Sequence, residues 1–251
     1  MKIDISDLLN SWEYDPENCI RILRLNSNRE VLQVRQPLGI EQYELEGRPD
    51  GKTLFKHGTA LAEYLHKLEQ HERKFHSDEG FKLNHSDYML LRNESILYYY
   101  RYLLLFQLGE FERTVTDTEH NLKICELVEK FRQNKKDRQE ILQYRPYILR
   151  INAIANAMIS LQNKLKSVAK KILESAIDLI QTIPEIDTPE FKYEKSRSIN
   201  YLKSTLDQIK DEDLTYIEQL EQELEEAVAI ENYERAAEIR DQIKGMKKVD
   251  S

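Results

Sequence analysis

With 251 residues, 33% of them charged and 40% hydrophobic, the chain is long enough for one large or two modest domains plus an appendage. Only seven Gly and six Pro argue against an all-β fold and against long disordered linkers, and no apolar run reaches the length of a membrane span. The net charge is −8, and residues 211–248 hold twelve Asp or Glu against five Lys or Arg, which leaves the remainder close to neutral and without the clustered bases that a nucleic-acid backbone rewards.

Residues 1–10 lack the basic start and apolar core of a signal peptide. Two distant cysteines, Cys19 and Cys125, make neither a disulfide framework nor a metal-type pair, so the expected compartment is the cytoplasm. Residues 5–11 read as a short helix or a lead-in, with Leu8, Leu9 and Trp12 available for burial. Residues 19–25 then alternate, Ile20 and Ile22 on one face and Leu23 and Leu25 on the other. Residues 26–29, Asn-Ser-Asn-Arg, are turn chemistry, because Asn tolerates positive φ. Residues 30–36 give a second strand, with Leu32 and Val34 opposing Val31, Gln33 and Arg35; Pro37 ends it, and residues 40–45 make a third. A three-stranded meander needs a helix across one face. Gly47-Arg-Pro-Asp-Gly51 follows as a tight turn, and residues 53–75 form the helix expected to cover the sheet, through Leu54, Leu61, Tyr64, Leu65 and Leu68. Ser86 or Asp87 is the expected cap of the next helix.

From there the pattern is one of helical hairpins. Residues 88–108 form a long apolar and aromatic helix, residues 109–112 break it, and residues 114–131 return. This pair resembles a tetratricopeptide repeat unit in Tyr98, Gly109 and Phe111, and departs from it at Thr114 and Asn121, where small alanines are usual. A second pair spans 146–162, with Ala153 and Ala157, and 168–182, with Ala169 and Ala176; Pro184 lies just beyond. Residues 183–191 are the clearest boundary, residues 191–209 a closing helix, and residues 210–213 a charged joint. The expected organisation is a β-meander plus helix over 1–76, helical hairpins over 77–209 and a helical hairpin over 210–251. The fold class is mostly α.

The last stretch is the most specific. Leu214, Ile217, Leu220, Leu224 and Val228 recur at spacings of three and four and form one apolar stripe; Glu231-Asn232 interrupts it; Tyr233, Ala236, Ala237, Ile243 and Met246 start another. The two alanines allow close helix approach, and Tyr233 is placed to plug the turn end. Glu231, Tyr233, Glu234, Arg235, Ala236, Ala237, Ile239, Arg240, Asp241 and Ile243 closely resemble the UVR motif, found near the C-terminus of the bacterial excision-repair proteins UvrB and UvrC and in stress-proteolysis regulators of the McsA type. The resemblance implies a protein–protein contact module with no chemistry of its own. On that basis the expected partner-binding residues are Ile217, Leu220, Leu224, Val228, Tyr233, Arg235, Ala236, Ile239, Arg240 and Ile243. The expected partner is a protein, either a second copy or another UVR-bearing chain.

Other constellations carry less. Gly47-Arg-Pro-Asp-Gly51-Lys52-Thr53 lies after a strand and before a helix, as a phosphate-binding loop does, but has three residues where that loop needs four, and Pro49 removes a backbone N–H. His66, His71 and His76 are five apart and spiral away from one another, so they do not share a metal-binding face. Arg21, Arg24, Arg29 and Arg35 share the sheet with Glu30, Glu41, Glu44 and Glu46, which predicts cross-strand ion pairs. Tyr98, Tyr99, Tyr100 and Tyr102 point around a full helix turn, so some are core and some groove or surface. No catalytic set, cofactor or metal is expected. Two readings result: a non-enzymatic adaptor docking through the C-terminal hairpin, and an excision-repair accessory or phosphate-binding factor using the N-terminal β–α unit. The sequence favours the first.

Lys52→Ala is expected to change no nucleotide binding, because there is none to lose. Calorimetric titration with ATP and magnesium checks this, and a micromolar affinity abolished by the substitution overturns the turn reading.

Overall fold

The computed structural model describes residues 4–25, 29–209, 216–229 and 232–247, and in the last two segments the side chains of 216–219, 222, 226, 229 and 245–247 are outside the description. The expected turn at 26–28, the joint at 210–213, Leu214 and Glu231 lie outside the described residues, as do the side chains of Ile217 and Met246.

The chain opens with α1 (Ser6–Ser11) and an antiparallel sheet, β1 (Ile20–Arg24), β2 (Glu30–Gln36) and β3 (Gly39–Glu44), in the order β1-β2-β3. The register sets Ile22 opposite Leu32 and Leu32 opposite Tyr43. That places Ile20, Ile22, Leu32, Val34 and Tyr43 on one face, and Leu23, Val31 and Ile40 on the other. The other face is closed by the N-terminal segment: the Arg21 guanidinium lies 3.7 Å over the Trp12 ring, and Arg35 Nε donates to the Trp12 carbonyl at 2.6 Å. Only part of the expected ion pairing forms. Arg29 pairs with Glu44, whereas Arg21 donates to Gln33 and Glu30 pairs with Arg113, outside the sheet.

Thr59 starts α2 (Ala60–Phe75), its hydroxyl accepting from the Ala62 N–H. The helix therefore begins later than residue 53, after Gly58 at φ +86°, and Leu54 and Leu65 are exposed. A second correction concerns the sheet's cover. That role belongs to α3 (His85–Gln107), whose Leu104 and Leu105 pack on Leu32, Leu45, Ile20, Ile22 and Tyr43. At 1.5 Å per residue, α3 is about 34 Å long. It reaches the sheet with its C-terminal half while α2 packs on its other end, with Ala60, Leu61 and Tyr64 joining Tyr88 and Leu91. The cap of α3 is Asn84, reciprocally bonded to Asp87 in a capping box, so Asp87 is the third helical residue and not the cap itself.

The helices α4 (Phe111–Phe131), α5 (Lys135–Leu142), α6 (Arg145–Gln162), α7 (Lys166–Thr182) and α8 (Pro189–Gln208) follow. α5 was not expected; Asn134 caps it through Lys136 and Asp137. Helix α4 packs on α3 and α6, α6 on α7, and α8 on both α7 and α6. The expected boundary at 183–191 is instead a packed turn. Ile183 is buried, Ile186 touches both helical cores, and Phe191 is fully buried. The chain ends with α9 (Tyr216–Ala229) and α10 (Tyr233–Lys247).

One buried carboxylate ties these parts. Glu94 of α3 is 0% exposed and accepts four hydrogen bonds: from the Ala60 and Leu61 N–H groups at the start of α2 (2.7 and 3.0 Å), from Arg48 in the 47–51 turn (2.8 Å) and from His120 of α4 (3.2 Å). The carboxylate meets the positive end of α2 and satisfies donors that have no partner inside that helix. Beside it, Arg101 grips Asp117 with two bonds (2.7 and 2.6 Å) and donates to the Glu44 and Gly47 carbonyls. Tyr98 stacks on His120 at 3.6 Å and donates to Gly47. Burial raises the Glu94 carboxyl pKa, but the bonds from His120, Leu61, Ala60 and Arg48 outweigh it and hold it below its ordinary value.

Glu94→Gln should cost about 2 kcal/mol, because it weakens the acceptor shared by Ala60, Leu61, Arg48 and His120 and leaves Arg48 with Asp50 alone as counter-charge. A folded-state pKa lowered from 4.5 contributes stability that is present above pH 4.5 and lost as pH falls through the folded value. Thermal melts across pH 3–7 should therefore show a gap between wild type and variant that narrows toward the acid end. A gap that widens contradicts the assignment.

Candidate functional site

Close approach organises the C-terminal hairpin. Leu220 and Ala227 of α9 meet Ala236, Ile239 and Ile243 of α10, with Leu224 packed alongside. Alanines on both helices at the turn end let the backbones approach where larger side chains would hold them apart. Asn232 starts α10: its side chain accepts from the Arg235 N–H, and its own N–H donates to the Ala227 carbonyl at 2.8 Å. Arg235 bridges the two helices, 3.0 Å from Glu238 and 3.3 Å from Glu223. The Glu238 hydrogen bond is the main reason its pKa is raised.

The ten expected partner-binding residues divide. Leu220, Ala236, Ile239 and Ile243 are interior to the hairpin. Val228 is 50% exposed and Tyr233 66% exposed. Arg235 and Arg240 are exposed, and Arg240 lies 3.6 Å from Asp241. Leu224 is half-buried. The inner face continues from Leu220 through Leu224 to Ala227, a three-four alternation, so Val228 falls about 100° past it and points away. Tyr233, as the first residue of α10, lies on the surface and does not plug the turn. Ile243 is buried against α9. Glu225 of α9 pairs with Lys171 of α7 at 2.5 Å.

The remaining candidates resolve simply. The 47–51 segment is a turn, with Gly47 and Gly51 at φ +66° and +68°, the Gly51 N–H donating to the Arg48 carbonyl and Asp50 accepting from the Lys52 N–H at 3.2 Å. Among the described residues, no group of three or more His, Cys, Asp or Glu is placed to hold a metal ion. His66 faces His57, whereas His71 meets the Glu79 carbonyl and His76 terminates α2. Of the tyrosines, Tyr98 and Tyr102 are buried and Tyr99 and Tyr100 reach the surface. Cys125 is buried and its thiol is pushed up to about 12, which makes it inert as a nucleophile.

Sequence reasoning missed a cleft of about 550 Å³ that α3, α4, α5, α6 and α8 line together, with Tyr99, Tyr102 and Tyr147 in its wall. Its residues are more than a hundred positions apart in the chain, so no local spacing announces it.

A family model described as the UvrB/uvrC motif matches residues 215–249. No curated protein and no solved structure matches the chain. Among the described residues, no helix is long and apolar enough to cross a membrane.

Proposed function

We propose that this chain is a non-enzymatic adaptor that docks on a protein partner through α9 and α10. The motif at 215–249 is associated with UvrB- and UvrC-type repair proteins and with protein–protein interaction. The observation that carries the reading is the pairing of that motif with a hairpin whose own small core leaves Val228 and Tyr233 exposed beside Arg235. A two-helix unit of this size has little interior, and apolar side chains left on its surface favour burial against another chain. The partner of matching chemistry is a second such hairpin, from another copy or from a UVR-bearing protein. Acidic α9 and the bases of α10 then set the orientation more than the affinity. The helical body is left to hold a second partner. An accessory role in nucleotide-excision repair is the pathway reading that the motif favours, reached by protein contact and not by direct nucleic-acid binding.

The test uses substitutions that suit their helix positions. Lys is favourable in the last turn of α9 and Glu in the first turn of α10, so Val228→Lys with Tyr233→Glu should preserve the hairpin. Light scattering at roughly 50 µM should give a dimer for wild type, or capture of an immobilised UVR hairpin, and neither for the double variant. A wild-type monomer that captures no UVR hairpin, or association unchanged by the substitutions, overturns the proposal.

A further inference from the structure

The hairpin meets the body on a face that it also presents to solvent. Glu225 of α9 lies 2.5 Å from Lys171 of α7, with both side chains about half exposed. Glu221, Glu225 and Val228 are four and three residues apart, so they share one face of α9, next to the inner face of Leu220, Leu224 and Ala227. Val228 is 50% exposed and is one of the apolar side chains offered to a partner. The contact with α7 and the docking surface of the hairpin therefore fall on the same face of one helix.

Charge favours this contact. Residues 164–171, at the start of α7, hold four Lys and no Asp or Glu, whereas residues 216–229 hold five Glu and no Lys or Arg. Opposite signs steer the two helices together and set their orientation. The affinity is small. A half-exposed pair is screened by solvent and is worth at most about a factor of five in an equilibrium. Lys171 and Glu225 belong to one chain, however, and tethered groups meet at an effective concentration on the order of millimolar. A weak contact held in this way is closed for part of the time and yields to a partner that binds the same face more tightly.

We propose that α7 and a docking partner compete for the Glu225–Val228 face of α9, so that the body holds the hairpin back until a partner displaces it. The inference rests on docking through α9 and α10. The surface on the body is the lysine-bearing start of α7, and its occupant in the free protein is this chain's own α9. A partner that sets bases opposite Glu221 and Glu225 replaces the charge that the displaced lysines supplied.

Two measurements on the full chain test it. In the first, unlabelled and heavy-isotope-labelled chains are mixed at low micromolar concentration and treated with a carbodiimide, which joins a lysine to a carboxylate in contact with it. The Lys171–Glu225 cross-link should join residues of one label only. In the second, wild type and Lys171→Glu are compared for capture by the immobilised partner that wild type binds, a second copy or a UVR hairpin. Lys171 is on the body, so its substitution reaches capture through the contact with α9. Capture should strengthen about threefold while the melting temperature holds. Lys203→Glu, the same change of charge at an exposed position of α8, should leave capture as it is in wild type. Cross-links that join the two labels, or none between these residues, overturn the proposal. Equal capture of wild type and Lys171→Glu overturns the competition alone. Capture of neither, with the single-label cross-link in place, overturns the docking reading and the competition with it.

Discussion

The fold depends on a single buried carboxylate finding enough donors. Glu94 sits in the middle of α3 with no solvent exposure, and its charge is tolerable only because two backbone N–H groups of α2, a guanidinium from the 47–51 turn and an imidazole from α4 converge on it. The four donors come from three different elements. Satisfying the carboxylate therefore fixes where α2 starts, how the turn after the sheet lies and how α4 packs on α3. Arg101 and Asp117 repeat the device about two turns further along and tie the end of β3 to the same pair of helices. Apolar packing supplies most of the driving force, but it is non-directional. The carboxylate selects one arrangement among the many that would bury the same leucines.

The body and the hairpin have separate cores. The clusters of the body run through α2 to α8, whereas the hairpin cluster contains residues of α9 and α10 alone. Among the described residues, Lys171 of α7 and Glu225 of α9 pair across the two, half exposed at both ends, and a pair of that kind contributes about 0–1 kcal/mol. Such an arrangement suits an adaptor. On the proposed reading, the hairpin would commit to another chain while the body keeps its own core.

Local signals in the sequence were legible, and long-range ones were not. The three strands, their order and the turn at 47–51 follow from alternation, Pro37 and the glycines. The UVR-type hairpin was visible because its residues lie close together in the chain, and the family match falls on the same stretch. The cover of the sheet was misread because Leu54, Leu61 and Leu65 look amphipathic alone, while the length of α3 and its leucines at 104 and 105 decide the packing. Val228 and Ala227 were confused because hydrophobicity favours valine, whereas two helices in close contact favour alanine. Glu94 carried no signal at all. A charged or amide residue within a helix reads as surface until its partners, far away in sequence, are in place.

The central claim is that residues 4–209 form a body that folds without the hairpin and leaves the hairpin free to dock. Thermal unfolding of a chain ending at residue 209, beside the full chain, tests it most directly. The account predicts one cooperative transition for the shortened chain, within a few degrees of the main transition of the full chain, because the hydrophobic clusters of the body share no residue with that of the hairpin. Loss of cooperative unfolding in the shortened chain would show that hairpin and body form a single core, and would contradict the account.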